Sequence, residues 1–76
     1  MDRHDRIIID PKVLTGKPIV KGTRLSVEFI LELLGERWTH EQILKSYPQL
    51  TEEDIWAVLQ YAAEVFKQEK VYPLPV

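Results

Sequence analysis

The sequence predicts a mainly α domain: three helices in a helix-turn-helix outline, preceded by a short N-terminal β element. Three observations carry this. The β-branched triplet Ile7-Ile8-Ile9 ends at Asp10-Pro11, as a short strand does. From Val27 onward the apolar residues recur at helical spacing. The second and third helical stretches are separated only by the tight linker Tyr47-Pro48-Gln49-Leu50. The chain divides into a β element and turn (7–25), a three-helix region (26–70) and an extended tail (71–76).

The triplet is too short to stand alone. Ile19-Val20 is its natural partner within the chain, and the same segment of a second subunit is the alternative. Pro18 removes a ladder donor and suits an edge position. Gly22 signals a turn, and Ser26 suits a helix N-cap. Val27, Ile30, Leu31 and Leu34 fall at i, i+3, i+4 and i+7. Phe29 and Leu33 widen that apolar arc to about 200° at ~100° per residue, which favours burial on two sides. Gly35 is expected to close this helix as its C′ residue.

Thr39 and Gln42 fit a capping box for the second helix, which Pro48 ends. Thr51 is expected to cap the third, whose first turn holds Glu52, Glu53 and Asp54, favourable to the helix dipole. Its main stripe is Ile55, Val58, Leu59, Ala62 and Phe66, broadened by Trp56, Ala63 and Val65.

Length and composition narrow the function. A domain of 76 residues buries only roughly 60–65% of its unfolded surface and usually needs a staple or a second subunit. There are no cysteines to supply a disulfide, so a homodimer is expected. Ile7, Ile8, Ile9, Phe29, Leu33 and Trp56 are the candidate dimer interface. Ten basic residues against twelve acidic give a net charge of −2, unlike a protein that binds nucleic acid over its whole surface. No apolar run reaches the length of a membrane span, and the charged N-terminus has no signal-peptide core. A soluble cytoplasmic protein is expected.

The chemistry-bearing motifs are sparse. Five residues stand between Gly16 and Gly22, whereas a phosphate-binding loop has four between its glycines and then Lys-Ser/Thr. Turn-forming is the better role for both. His4 and His40 stand in no metal-ligand spacing, and His40 is expected to be solvated. Ser26 and Ser46 fit helix-end roles, so no nucleophile, base and orienting group converge. Neither an enzyme nor a cofactor is expected. Lys17, Lys21 and Arg24 are the candidate DNA-phosphate contacts, with Arg24 alternatively pairing Glu28. Against base readout stands the acidic first turn of the third helix, where a recognition helix normally meets DNA. Val71, Tyr72, Pro73, Leu74 and Pro75 form a candidate partner-binding strand.

The run Gly16-Lys17-Pro18-Ile19-Val20-Lys21-Gly22-Thr23-Arg24-Leu25-Ser26-Val27 resembles the signature of the prokaryotic domain-of-unknown-function family 433. Glu41-Gln42-Ile43-Leu44 and Tyr47-Pro48-Gln49-Leu50-Thr51-Glu52-Glu53-Asp54-Ile55 resemble its second block, so the similarity runs from about Ile7 to Ala62. The resemblance implies a homeodomain-like helical fold. It also implies an antitoxin-like role beside a PIN-like nuclease toxin, with autoregulatory DNA binding as a further expectation. A protein-interaction and dimerisation module without DNA binding is the alternative.

Overall fold

The computed structural model describes residues 6–68. Two short strands, β1 (Ile7–Ile9) and β2 (Pro18–Val20), precede three helices, α1 (Val27–Gly35), α2 (His40–Ser46) and α3 (Glu52–Gln68). The domain is mainly α, as predicted.

The first strand pairs within its own chain. β1 and β2 are antiparallel in the register Ile7↔Val20, Ile8↔Ile19, Ile9↔Pro18. Pro18, which has no N–H to donate, thus sits at the end of a two-stranded sheet. The connection passes through a 3₁₀ turn at Leu14–Gly16, where Leu14, Thr15 and Gly16 take φ of 50°, 53° and 82°. Left-handed backbone is natural for glycine and unusual for a β-branched residue such as Thr15.

After β2 the chain reverses through Lys21-Gly22. Thr23 N–H donates to the Val20 carbonyl at 3.0 Å, and Gly22 supplies the required positive φ of 84°. The Thr23 hydroxyl donates to that same carbonyl at 2.8 Å and accepts from the Leu25 N–H at 3.0 Å. The returning segment meets β2 at Ile19↔Ser26. The Ser26 hydroxyl then accepts from Phe29 N–H at 2.9 Å and starts α1.

The end of α1 corrects one expectation. Gly35 is the last helical residue rather than the left-handed one. That conformation falls on Arg37, at φ 73°. Trp38 N–H donates to the Leu33 carbonyl at 3.1 Å and Arg37 N–H to Leu34 at 3.0 Å. These are the two bonds of a Schellman cap, set two residues later than the glycine. Trp38 is thereby turned onto the core.

Thr39 and Gln42 form the expected capping box at the start of α2, at 3.0 and 2.8 Å. Thr51 and Asp54 do the same for α3. Asp54 N–H donates to the Thr51 hydroxyl at 3.2 Å, and Thr51 N–H donates to Asp54 Oδ2 at 2.9 Å. Each cap satisfies amides that the helix leaves without partners.

The core lies where β2, α1, α2 and the first half of α3 meet. Val20, Ile30, Ile43, Ile55 and Val58 are completely buried there. Leu33, 7% exposed, belongs to the same cluster. It therefore drops out of the predicted dimer interface: the arc that looked two-sided is filled on this side by the protein's own core. Phe29 is half-buried against that cluster and meets Tyr47 edge-on, with ring centres 5.6 Å apart. Among the described residues, no helix is long and apolar enough to cross a membrane.

Candidate functional site

The three predicted phosphate contacts lie on or beside the β2–α1 turn, in different states. Lys17 is engaged: its Nζ lies 3.1 Å from Glu28 Oε1 on α1. The expected Arg24–Glu28 pair is thus replaced by Lys17–Glu28. Both partners are exposed, so the pair contributes at most about 1 kcal/mol. Lys21 and Arg24 flank the tip of the turn and are exposed, with no carboxylate partner among the described residues. Strand pairing fixes the tip from below, since Lys21 N–H donates to the Arg6 carbonyl at 2.7 Å and Val20 N–H to Leu25 at 3.0 Å. Two cations are thereby placed at one corner of the fold.

The acidic start of α3 is not a bare cluster of charge. Asp54, 7% exposed, has Oδ1 2.9 Å from Arg6 Nη1 and Oδ2 on the Thr51 amide. A buried carboxylate needs such partners. Glu52 Oε1 lies 2.6 Å from His40 Nδ1. Because a carboxylate only accepts, this contact places the imidazole proton on Nδ1. Only Glu53 of the three is both exposed and without a bonded partner among the described residues.

His40 is therefore half-buried and bonded rather than solvated. Its ring also meets Trp56 edge-on at 5.4 Å and 71°. Trp56 is 54% exposed on the outer side of α3. Sequence reading missed this cluster. The available signal was Glu52 and Trp56 at i, i+4 on one helix, but nothing local places His40 against them.

A second surface lies between α1 and the distal half of α3. Val27, Leu31, Tyr61, Ala62 and Val65 line an apolar groove of about 500 Å³. Lys17, Glu28 and Glu32 add charge to its lining, and Phe66, 58% exposed, contributes to one side. Of the remaining predicted dimer residues, Ile7 and Ile8 are half-buried, while Ile9 is 60% exposed. The predicted partner strand, Val71 to Pro75, lies outside the described residues. Among the described residues, no three His, Cys, Asp or Glu side chains are grouped to hold a metal ion.

The comparisons fit the sequence blocks that frame these surfaces. The family model described as "Protein of unknown function (DUF433)" matches residues 7–62. The chain belongs to this family. The match takes in the cationic turn, the three caps and the paired carboxylates of α3. A crystal structure of a DUF433 member protein from Anabaena variabilis is similar, with a TM-score of 0.77 and 28% identity. The similarity covers 83% of this chain and 62% of that one, so this DUF433 chain spans less than two thirds of the solved relative's length. A shorter match joins it to an uncharacterised protein of Archaeoglobus fulgidus, 50% identical over 24 residues. That is 32% of this chain and 67% of the archaeal one.

Proposed function

We propose that this DUF433 chain is a small antitoxin-like binding protein that works as a homodimer, captures a PIN-like nuclease toxin and contacts the DNA that encodes the pair. In this reading α2 and α3 act as a helix-turn-helix unit. Lys21 and Arg24 contact phosphates, and the C-terminal segment Val71 to Pro75 grips the nuclease.

The observation that carries the DNA half is the Arg6–Asp54 ion pair, which neutralises one of α3's three first-turn acids. Three bare carboxylates would repel a phosphate backbone. With Asp54 paired to the Arg6 guanidinium, that repulsion falls to Glu52 and Glu53, while Lys21 and Arg24 stay available. The nuclease half rests on the family resemblance of the two sequence blocks.

The test is affinity capture of the tagged chain from its native host, followed by a mobility-shift assay with the recovered complex and its upstream DNA. The expected result is a PIN-like nuclease in the eluate and a shift that collapses between ~50 and ~200 mM salt. Absence of the nuclease overturns the antitoxin reading. A captured nuclease with no DNA shift leaves the second reading, a protein-interaction module alone. The exposed Glu53 and the net charge of −2 favour that reading.

A further inference from the structure

α3 is longer than the core it packs on. Its inward stripe runs Ile55, Val58, Ala62, Val65, but full burial stops at Val58. Beyond that point the stripe becomes one wall of the apolar groove, facing Val27 and Leu31 of α1. Phe66 sits on the same surface, more than half exposed. We infer that this groove is the interface between two copies of the chain, related by a twofold axis, with Phe66 of each copy seated in the groove of the other.

Three observations choose a second copy over another occupant. First, knob and hole lie side by side on one surface. Under the inferred twofold axis each copy's knob meets the other's hole, and such an isologous contact closes at two subunits. Second, the charges around the groove match under that symmetry. Glu28 is occupied by Lys17, whereas Glu32 on α1 and Lys67, next to Phe66, have no bonded partner among the described residues. Seating Phe66 in the second copy's groove brings Lys67 to that copy's Glu32, and the reverse contact forms at the same time. Third, a cysteine-free chain of 76 residues is short of buried apolar surface, and this groove is where more can be added. An aromatic anchor entering an apolar pocket is the usual centre of such an interface.

This inference deepens the dimeric part of the proposed function by assigning its face, and it is independent of nuclease or DNA binding. Sedimentation equilibrium over a concentration series tests it. The wild-type chain is expected to show a monomer–dimer equilibrium, and Phe66→Glu is expected to weaken it on the order of 100-fold. Circular dichroism of the variant checks that the fold is retained.

A charge exchange keeps the test decisive if Phe66→Glu unfolds. Glu32→Lys alone and Lys67→Glu alone each place like charges together twice in a dimer and weaken it. An equimolar mixture of the two pairs opposite charges at both contacts and restores wild-type affinity. A wild-type chain that is monomeric at every concentration overturns both the dimer and its face. A dimer indifferent to Phe66→Glu, or a mixture no tighter than its components, overturns the face alone. Loss of nuclease capture in Phe66→Glu with the dimer intact assigns the groove to the nuclease and overturns the inference too.

Discussion

Arg6 and Asp54 are separated by 48 residues in the sequence and by 2.9 Å in the fold. The pair ties the chain just ahead of β1 to the first turn of α3, and Asp54 serves at once as ion-pair partner and capping acceptor. Because the Arg6 side chain keeps 29% of its exposure, the pair is partly screened. A double-mutant cycle of Arg6→Met and Asp54→Asn is expected to give a coupling on the order of 1 kcal/mol in urea denaturation. Asp54→Ala, which also removes the cap, should cost about 2–3 kcal/mol. Strictly additive single variants would show that the pair does not form in solution.

Left-handed backbone at non-glycine residues sets a second prediction. Arg37 holds φ 73° at the Schellman position, and Thr15 holds φ 53°. Arg37→Gly should raise stability by about 1 kcal/mol, and Thr15→Gly should act in the same direction. Gly22→Ala should lower it by a similar amount. No atom lies within 4 Å of where the new Cβ would stand, so that cost is conformational alone. Thermal unfolding of the three variants beside wild type checks all three signs.

The cationic turn makes a prediction that separates binding from folding. If the DNA half of the proposal holds, Lys21→Ala with Arg24→Ala should reduce the slope of log affinity against log salt by about 2, with little change in melting temperature. Lys17→Ala should do less than either Lys21→Ala or Arg24→Ala alone, because Lys17 is already paired with Glu28. Equal effects from the three single variants would contradict this ordering.

His40 and Trp56 give a fourth. Their edge-on contact should yield a coupling of about 0.5–1.5 kcal/mol in a His40→Ala, Trp56→Ala cycle. A coupling near zero would show that the edge-on contact adds nothing to stability and that Glu52 alone engages His40.

What was legible in the sequence is what is local. Ser26, Thr39 and Thr51 announce the three helix starts because a cap and its acceptor lie within three residues of each other. The pairing of Ile7-Ile8-Ile9 with Ile19-Val20 follows from β-branching and a short connection. Arg6–Asp54 and His40–Glu52 were not legible, since a charge carries no sign of which distant partner it will meet. Leu33 shows a different limit. Helical spacing tells which residues turn away from water, but not whether the same chain or another one covers them. At Gly35 the residue type pointed to the cap, and hydrogen bonding placed it two residues later.

The packing of β1 against α3 also has a kinetic consequence. α2 and α3 are sequence neighbours and can find each other through a short loop. Arg6, just ahead of β1, must close a loop of nearly fifty residues to reach Asp54, at an entropic cost of about 3 kcal/mol. That contact is therefore expected to form after the helices have assembled. Trimming Ile7 or Ile8 to alanine should leave the refolding rate nearly unchanged and speed unfolding instead. The strand would then act as the latch of the fold, the last part to engage and the first to let go.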